Sequence, residues 1–199
     1  CMEKRNWKHS VTLKQRMVLC LAAFFAAFAL QLALNGYQAR AVQQVQDDQM
    51  GNFNAISRFQ GGVESSISIL EAYRWENGET EEMLEKLQAA CSTSNAWLWR
   101  IRSNMDGLQN VSDEQWVLYG AVETTYGSYN TLLEELEGSL SSGQEAKASQ
   151  LYYNKVSVCG GYLSQYTMQL LKASILDAQT TYTEISELGE RIALMQIVV

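Results

Sequence analysis

Few residues of this chain have the types and spacing that catalysis requires. The only histidine, His9, lies in a basic N-terminal segment, and no Ser, Cys or Asp is arranged around it for nucleophilic catalysis. The sequence also contains no glycine-rich phosphate-binding pattern and no HExxH pattern. We therefore expect no catalytic residue and no cofactor within these 199 residues.

The cysteines and acidic pairs do not have the spacing of a metal site. Cys91 and Cys159 belong to neither a CxxC nor a CxxH pattern. They are either buried free thiols or, in an oxidising compartment, partners in a disulfide. The pairs Glu81-Glu82 and Glu134-Glu135 are typical of exposed helix faces, because cation ligands would have to converge from separate turns. We expect no metal ligand.

A combination of cationic and aromatic residues is the candidate for ligand binding. Arg74 and Trp75 end the first predicted helix of the outer body, and Tyr152 and Tyr153 lie near the start of the fourth. These positions have matching depths in a helical bundle, so the four side chains could converge on one small molecule. The alternative is that the aromatic residues of the chain fill the bundle core.

An apolar run of 18 residues, Met17–Leu34, predicts a membrane helix. All but Gln31 are apolar, and the run has no charge and no proline. About 20 helical residues cross the hydrocarbon layer of a bilayer, so we place a transmembrane helix at residues 17–36. The run exceeds the apolar region of a signal peptide and has no small-residue cleavage site, which favours an uncleaved anchor.

The charges on the two sides of this run predict its orientation. Residues 1–16 carry five Lys or Arg and one Glu, whereas residues 36–190 carry nine Lys or Arg against 21 Asp or Glu, a net charge of −12. Basic flanks stay in the cytoplasm. Residues 1–16 are therefore predicted as a cytoplasmic tail and residues 37–190 as an extracytoplasmic domain at the cell membrane. Its acidity excludes nucleic-acid partners, which need a basic surface.

The last residues of the sequence are again apolar. Residues 192–199 contain a single polar residue, Gln196. Eight residues cannot span a bilayer. We interpret residues 191–199 as the start of a second transmembrane helix that is interrupted at residue 199, which makes the sequence the front part of a longer protein.

Apolar periodicity between the two membrane segments predicts four helices and no sheet. The chain contains no proline, where about ten are expected at average usage, and proline disfavours helix interiors. The predicted helices end near residues 76, 108 and 141, and the fourth continues beyond Arg191. Ser112 is predicted to cap the third helix, with Gln115 completing a capping box. In the fourth helix, the predicted apolar heptad row, which should face the bundle core, consists of Leu171, Ile175, Ala178, Tyr182, Ile185, Gly189 and Ile192.

We expect an all-α, up-down-up-down four-helix bundle. The first and fourth helices are longer than the middle two, so they should continue into the membrane as a two-helix stalk. Gln49 and Asn52 are predicted to face the seam of this stalk, where polar residues specify register or partner number. Such a stalk cannot bury its own seam, which predicts a homodimer.

This layout resembles that of bacterial transmembrane sensors. Sensor histidine kinases of two-component systems and methyl-accepting chemotaxis receptors share the short basic tail, the extracytoplasmic helical bundle and the returning membrane helix. The segment Ser10-Val11-Thr12-Leu13-Lys14-Gln15-Arg16 resembles the SLK-x-R starts of sensor kinases. The resemblance implies reception of an external stimulus, followed beyond residue 199 by a HAMP-like linker and an ATP-dependent histidine kinase region.

Two other classes remain open. A chemotaxis receptor would continue into a long, heptad-rich cytoplasmic hairpin without an ATPase domain. A non-signalling, membrane-anchored helical scaffold would have little sequence after the second membrane helix. In either signalling class, a ligand drives the change only if it binds two packings of the bundle with different affinities.

Overall fold

A computed structural model describes residues 13–73, 80–108 and 111–198, and these residues are all-helical and contain no strand. A short π-helical segment, Tyr152–Val156, divides the fourth predicted helix. The α-helices are α1, Leu13–Ala72; α2, Thr80–Gly107; α3, Asp113–Ser141; α4, Glu145–Leu151; and α5, Ser157–Val198. The predicted all-α class and the number of long helical segments are therefore confirmed.

The chain divides into two compact units, Cys1–Gln43 and Gln44–Val199. In the first unit, the large apolar side chains of α1 from Met17 to Leu32 are 52–69% exposed. Helix α1 is long and apolar enough to cross a membrane, with a mean hydropathy of 2.4 over its most apolar window. The length and composition of α1 thus agree with the predicted membrane helix. Which side of the membrane each flank occupies, and where the domains begin and end, stay predictions.

The second unit has one hydrophobic core to which every helix contributes. In the first three helices, the apolar residues that recur at helical spacing face this core, as predicted. They are all buried or half-buried: Ile56, Phe59, Val63, Ile67 and Leu70 in α1; Leu84, Leu87, Leu98, Ile101 and Met105 in α2; and Leu118, Val122, Tyr126, Tyr129, Leu133, Leu136 and Leu140 in α3. The largest fully buried side chains include Ile56 and Phe59 of α1, Ile101 and Met105 of α2, Tyr129 and Leu136 of α3, and Leu163 and Leu170 of α5.

Aromatic and hydroxyl contacts join α1 to α3. The rings of Phe59 and Tyr126 meet edge to face with centroids 5.2 Å apart. One to two turns further along both helices, Ser66 Oγ lies 2.9 Å from Tyr129 Oη. The later residue of α1 contacts the later residue of α3, so the two helices run in the same direction.

Helices α2 and α5 run in the opposite direction. Tyr73 Oη and Thr80 Oγ1 are 2.7 Å apart where α1 gives way to α2, and the other end of α2 lies beside Gly51, near Asn104. Helix α5 packs Gly160 against Tyr129 and reaches the start of α3 at Asp177. Adjacent segments in the chain are therefore antiparallel.

The predicted heptad row of the fourth helix is wrong as a core-facing row. Ile175 is 41% exposed and Tyr182 is 63% exposed. The buried row of α5 instead contains polar residues beside Leu163 and Leu170. Thr167, Ser174 and Thr181 are at most 8% exposed. Thr167 and Thr181 donate their hydroxyl hydrogen bonds to the carbonyl oxygens of Leu163 and Asp177, four residues back. This internal pairing lets threonine occupy a core position.

The predicted location of Gln49 and Asn52 in a two-helix stalk is also wrong. Gln49 is 6% and Asn52 0% exposed within a single chain. Neighbouring Gly51 lies beside Asn104 of α2, so the four-helix part of the unit extends to this depth. Their burial is intramolecular, and they give no support to the predicted dimer.

Ser112 caps α3 as predicted. Its Oγ accepts a hydrogen bond from the backbone N–H of Gln115 at 3.2 Å. The backbone N–H of Ser112 donates to Oδ2 of Asp177 in α5 rather than to the Gln115 side chain. An acidic residue from a neighbouring helix thus occupies the place that a capping box gives to the local Gln or Glu.

Candidate functional site

The structure describes two of the four predicted ligand-binding residues. Arg74 and Trp75 lie outside the described residues. Tyr152 and Tyr153 open the π-helical segment, and their ring centroids are 5.0 Å apart with an angle of 68° between the planes. Tyr152 is 4% exposed and belongs to the core, whereas Tyr153 is 61% exposed. The two rings touch, but they face different surroundings.

The electrostatics of Tyr152 are those of a core phenol. Burial raises its pKa, and the negative charge of Glu71 and the neighbouring Tyr153 raise it further. The hydroxyl therefore stays protonated at neutral pH. Lys147 and Lys155, on either side of the pair in sequence, are exposed. Of the described members of the predicted site, Tyr153 is the one that presents its ring at the surface.

A groove between α2 and α3 is a second candidate site, with a volume of about 350 Å³. It opens on the flank of the bundle, beside the core rows of the two helices. Its lining consists of Leu84, Leu87, Gln88, Cys91, Ser92 and Asn95 from α2, and Asn130, Leu133, Glu134 and Glu137 from α3.

The lining combines apolar side chains with neutral polar groups and two acidic side chains. Glu134 and Glu137 are the charged side chains among the lining residues. The Oδ1 atom of Asn130 is buried with no hydrogen-bond partner among the described residues. Pockets fix a ligand by a few polar groups on an apolar surface. A small molecule with an apolar body and a cationic group matches this lining.

The groove does not contain a reactive thiol. Burial, and secondarily the negative charge of Glu137, raise the pKa of Cys91 to about 11. The thiol is therefore protonated at neutral pH and is a poor nucleophile. Cys159 also has a pKa raised by burial, and its Sγ contacts the carbonyl oxygen of Thr125 at 3.7 Å. Both residues are free thiols, so the disulfide alternative does not hold.

A smaller cavity of about 320 Å³ lies at the end of the bundle where α2 leads to α3. Its surface is formed by hydroxyl and carboxylate side chains together with Val111: Ser112, Asp177, Thr180, Thr181 and Glu184. This cavity adjoins the cap of α3, because Asp177 is the residue that accepts the Ser112 backbone hydrogen bond.

Sequence reasoning missed the groove, although a signal for it exists. On α2, Gln88, Ser92 and Asn95 are spaced by four and three residues, and on α3 Asn130, Glu134 and Glu137 have the same spacing. Each set forms a polar stripe beside an apolar row. The sequence alone did not indicate that the two stripes face each other across one groove.

No group of three or more His, Cys, Asp or Glu side chains suited to a metal ion occurs in the described ranges. No protein-family model matches the chain, and neither a curated protein nor a solved structure gives a significant match.

Proposed function

We propose that residues 1–199 are the stimulus-sensing and transmembrane signalling region of a bacterial sensor histidine kinase, with residues 37–190 outside the cell membrane. One observation carries this proposal. The same helix, α1, contains an exposed apolar stretch of membrane-spanning length and a stretch that contributes Ile56, Phe59 and Val63 to a helical core. A shift of α1 within the core would be passed along the helix toward the apolar stretch.

The groove between α2 and α3 is the proposed receiving site within the described residues. A small molecule whose cationic group is held by Glu134 and Glu137 of α3, and whose apolar body packs against Leu84 of α2, would bind both helices at once. It would change the signal only to the extent that it binds one packing of the bundle more tightly than the other. Arg74, Trp75, Tyr152 and Tyr153 stay the predicted second location for a ligand.

A second copy of the chain is the proposed partner, and the heptad row of α5 is its contact surface. Leu171, Ile175, Ala178, Tyr182 and Ile185 recur at alternating spacings of four and three residues. Ile175 and Tyr182 are exposed, and the other three are half-buried or at the core edge. A sustained heptad row is the pattern of a coiled-coil seam.

The charge distribution around this row favours pairing with itself. At the positions flanking the heptad row lie Ser174, Thr181, Lys172, Gln179 and Ser186, none of them acidic. The acidic residues of the same stretch, Asp177, Glu184 and Glu187, fall on the remaining heptad positions. Two copies of an acidic domain could therefore meet along α5 without placing carboxylates face to face.

The orientation is tested with reporters inserted after Gly143, the turn between α3 and α4. Alkaline phosphatase at this position should be active, because it folds outside the cytoplasm, and green fluorescent protein should be dark. A fluorescent, phosphatase-negative pair would place the bundle in the cytoplasm and remove the receptor proposal.

The signalling class is tested by the reading frame beyond residue 199 and by activity. A second membrane helix followed by a kinase region that incorporates phosphate from ATP into a histidine would support the proposal. A heptad-rich hairpin without an ATPase domain would instead identify a chemotaxis receptor. Little or no sequence after the membrane helix would identify a scaffold.

A further inference from the structure

Five buried polar atoms at one end of the bundle have no hydrogen-bond partner among the described residues. They are Gln49 Oε1, both amide atoms of Asn52, Gln115 Oε1 and Ser174 Oγ. The four residues are between 0 and 6% exposed. Buried polar atoms are nearly always hydrogen-bonded, so four such side chains in one core require an explanation. We name Gln49, Asn52, Gln115 and Ser174 the polar layer.

The register of α1 against α3 brings three members of the polar layer close to one level. Phe59 lies against Tyr126, and the two helices run in the same direction. Asn52 and Gln49 precede Phe59 by seven and ten residues, and Gln115 precedes Tyr126 by eleven residues. At 1.5 Å per residue, the three residues therefore lie within about one helical turn of each other along the bundle axis.

The register of α5 brings the fourth member to the same level. Gly160 lies against Tyr129, and α5 runs opposite to α3. Ser174 is 14 residues after Gly160, and Gln115 is 14 residues before Tyr129. Three helices thus direct unpartnered polar side chains to one depth of the core.

The mixture of donors and acceptors indicates the ligand. Gln49 and Gln115 present carbonyl oxygens, Ser174 a hydroxyl, and Asn52 one oxygen and one NH₂ group. Both amide atoms of Asn52 are unpartnered, so the mixture does not depend on which of them is the oxygen. A cation would be opposed by the NH₂ group, and an anion by the carbonyl oxygens. Water donates and accepts, and buried water needs two to four polar partners.

The cavity at the end of the bundle provides a polar approach to this layer. Ser112 is one helical turn from Gln115, and Asp177 is one turn from Ser174. Ser112 and Asp177 both line the cavity of about 320 Å³. Solvent in the cavity is therefore separated from the polar layer by about one turn of α3 and α5.

We infer that the polar layer is a binding site for ordered water, which bridges α1, α3 and α5 inside the core of a single chain. This inference concerns the folded bundle and does not depend on the proposed receptor function. Bridging water satisfies polar atoms almost as well as a direct hydrogen bond does.

Water–protein NMR on the intact 199-residue chain in detergent micelles tests the inference directly. The side-chain amide protons of Asn52 should show cross-relaxation with water that stays bound for longer than a nanosecond. The methyl groups of Ile56, one turn away and 0% exposed, should show none. If Asn52 shows no contact with long-lived water, the inference is overturned.

Two substitutions provide a second, independent readout. Asn52→Leu removes two polar partners of the water at nearly constant volume. The water signal at the side-chain amide protons of Gln115 should therefore weaken, and the thermal midpoint should fall by roughly 2–4 °C, because Gln49, Gln115 and Ser174 lose the water that pairs their polar atoms. Asn54→Leu, at an exposed position of the same helix, should leave both unchanged. An unchanged water signal at Gln115, or a midpoint that rises on Asn52→Leu, would show that no water joins Asn52 to the other three side chains and would overturn the inference. If Asn52→Leu does not fold, Ser174→Ala is measured in the same way and should weaken the water signal at Asn52; an unchanged signal would contradict the shared site.

Discussion

The backbone N–H of Ser112 donates a hydrogen bond to the carboxylate of Asp177, 65 residues further along the chain, over 3.2 Å. Ser112 is the N-cap of α3, so the carboxylate lies at the positive end of that helix. One interaction therefore caps a helix and joins it to its neighbour α5.

Asp177→Ala should destabilise the bundle by about 1–2 kcal/mol, because a charge-assisted hydrogen bond and a favourable interaction with the helix dipole are both lost. Urea unfolding monitored by circular dichroism measures the change in the free energy of unfolding. Glu184→Ala is the matched control, since Glu184 lines the same cavity and is exposed. It should change the stability by less than about 0.5 kcal/mol. Equal effects of the two substitutions would contradict a specific role for Asp177.

Adjacent glycines of α1 should respond in opposite ways to alanine. A Cβ atom at Gly62 would clash with Ser94 Oγ, whereas one at Gly61 meets nothing within 4 Å. Gly61→Ala should stabilise the bundle by about 0.5–1 kcal/mol through helix propensity. Gly62→Ala should lose that gain or destabilise, because Ser94 must give up its hydrogen bond to Ala90. Unfolding of Gly62→Ala/Ser94→Ala checks the cause: the second substitution should restore the lost stability.

The stability of the bundle should fall at alkaline pH. Burial raises the pKa of Tyr119 and of Tyr126 from 10.0 to about 12, with Glu123 contributing at Tyr119. The folded state holds these protons more tightly than the unfolded state, so the stabilisation is complete below pH 10 and is lost between pH 10 and 12. Urea midpoints across this range should decrease, and Tyr126→Phe should make the decrease shallower. Tyr162→Phe, at a 56% exposed residue, should leave the slope as it is.

Cys91 should react slowly with iodoacetamide at pH 8, because its pKa of about 11 leaves little thiolate. Glu137→Gln removes a charge that raises this pKa, so it should increase the alkylation rate. Glu135→Gln is the control, since Glu135 is exposed and is not among the residues that line the groove. Mass spectrometry of the Cys91 peptide gives the rates. A rate in the native protein equal to that in urea would show that the thiol is not buried.

The proposed contact between two copies predicts a pattern of disulfide cross-links along α5. With the native cysteines replaced by alanine, Ile175→Cys and Tyr182→Cys should form dimers under mild oxidation in membranes. Thr180→Cys and Thr183→Cys, which are also exposed but lie outside the heptad row, should form few. Cross-linking that is equal at all four positions would indicate random collision and remove this surface from the proposal.

The parts of the fold that could be predicted are those in which large apolar residues repeat with helical spacing. The rows through Phe59, Ile101 and Tyr129 are buried because large side chains gain most from leaving water. The buried row of α5 could not be found in this way. Thr167 and Ser174 are polar by type, and an apolar periodicity does not count them. Apolar periodicity therefore selects the row through Ile175, which is 41% exposed.

The candidate sites were harder to predict because they depend on how helices rotate against each other. Asn130 and Glu134 gain a role as groove residues only where α3 faces α2. The different surroundings of Tyr152 and Tyr153 arise in the π-helical segment, for which the sequence Tyr-Tyr-Asn-Lys-Val has no recognisable signature. The aromatic-core alternative proved right for Tyr119, Tyr126, Tyr129 and Tyr152, which are at most 4% exposed.

The π-helical segment also sets the phase between α4 and α5. Ala148, Tyr152, Val156 and Gly160 are all buried although they are four residues apart each time. In an uninterrupted α-helix such a row would wind away from one side by about 40° per step. The wider turn at Tyr152–Val156 absorbs this winding. Deleting one residue there together with the bulge would leave 11 residues between Ala148 and Gly160, which in an α-helix turn by about three full turns plus 20°, so a related chain that had lost both would keep the same inward-facing residues in α4.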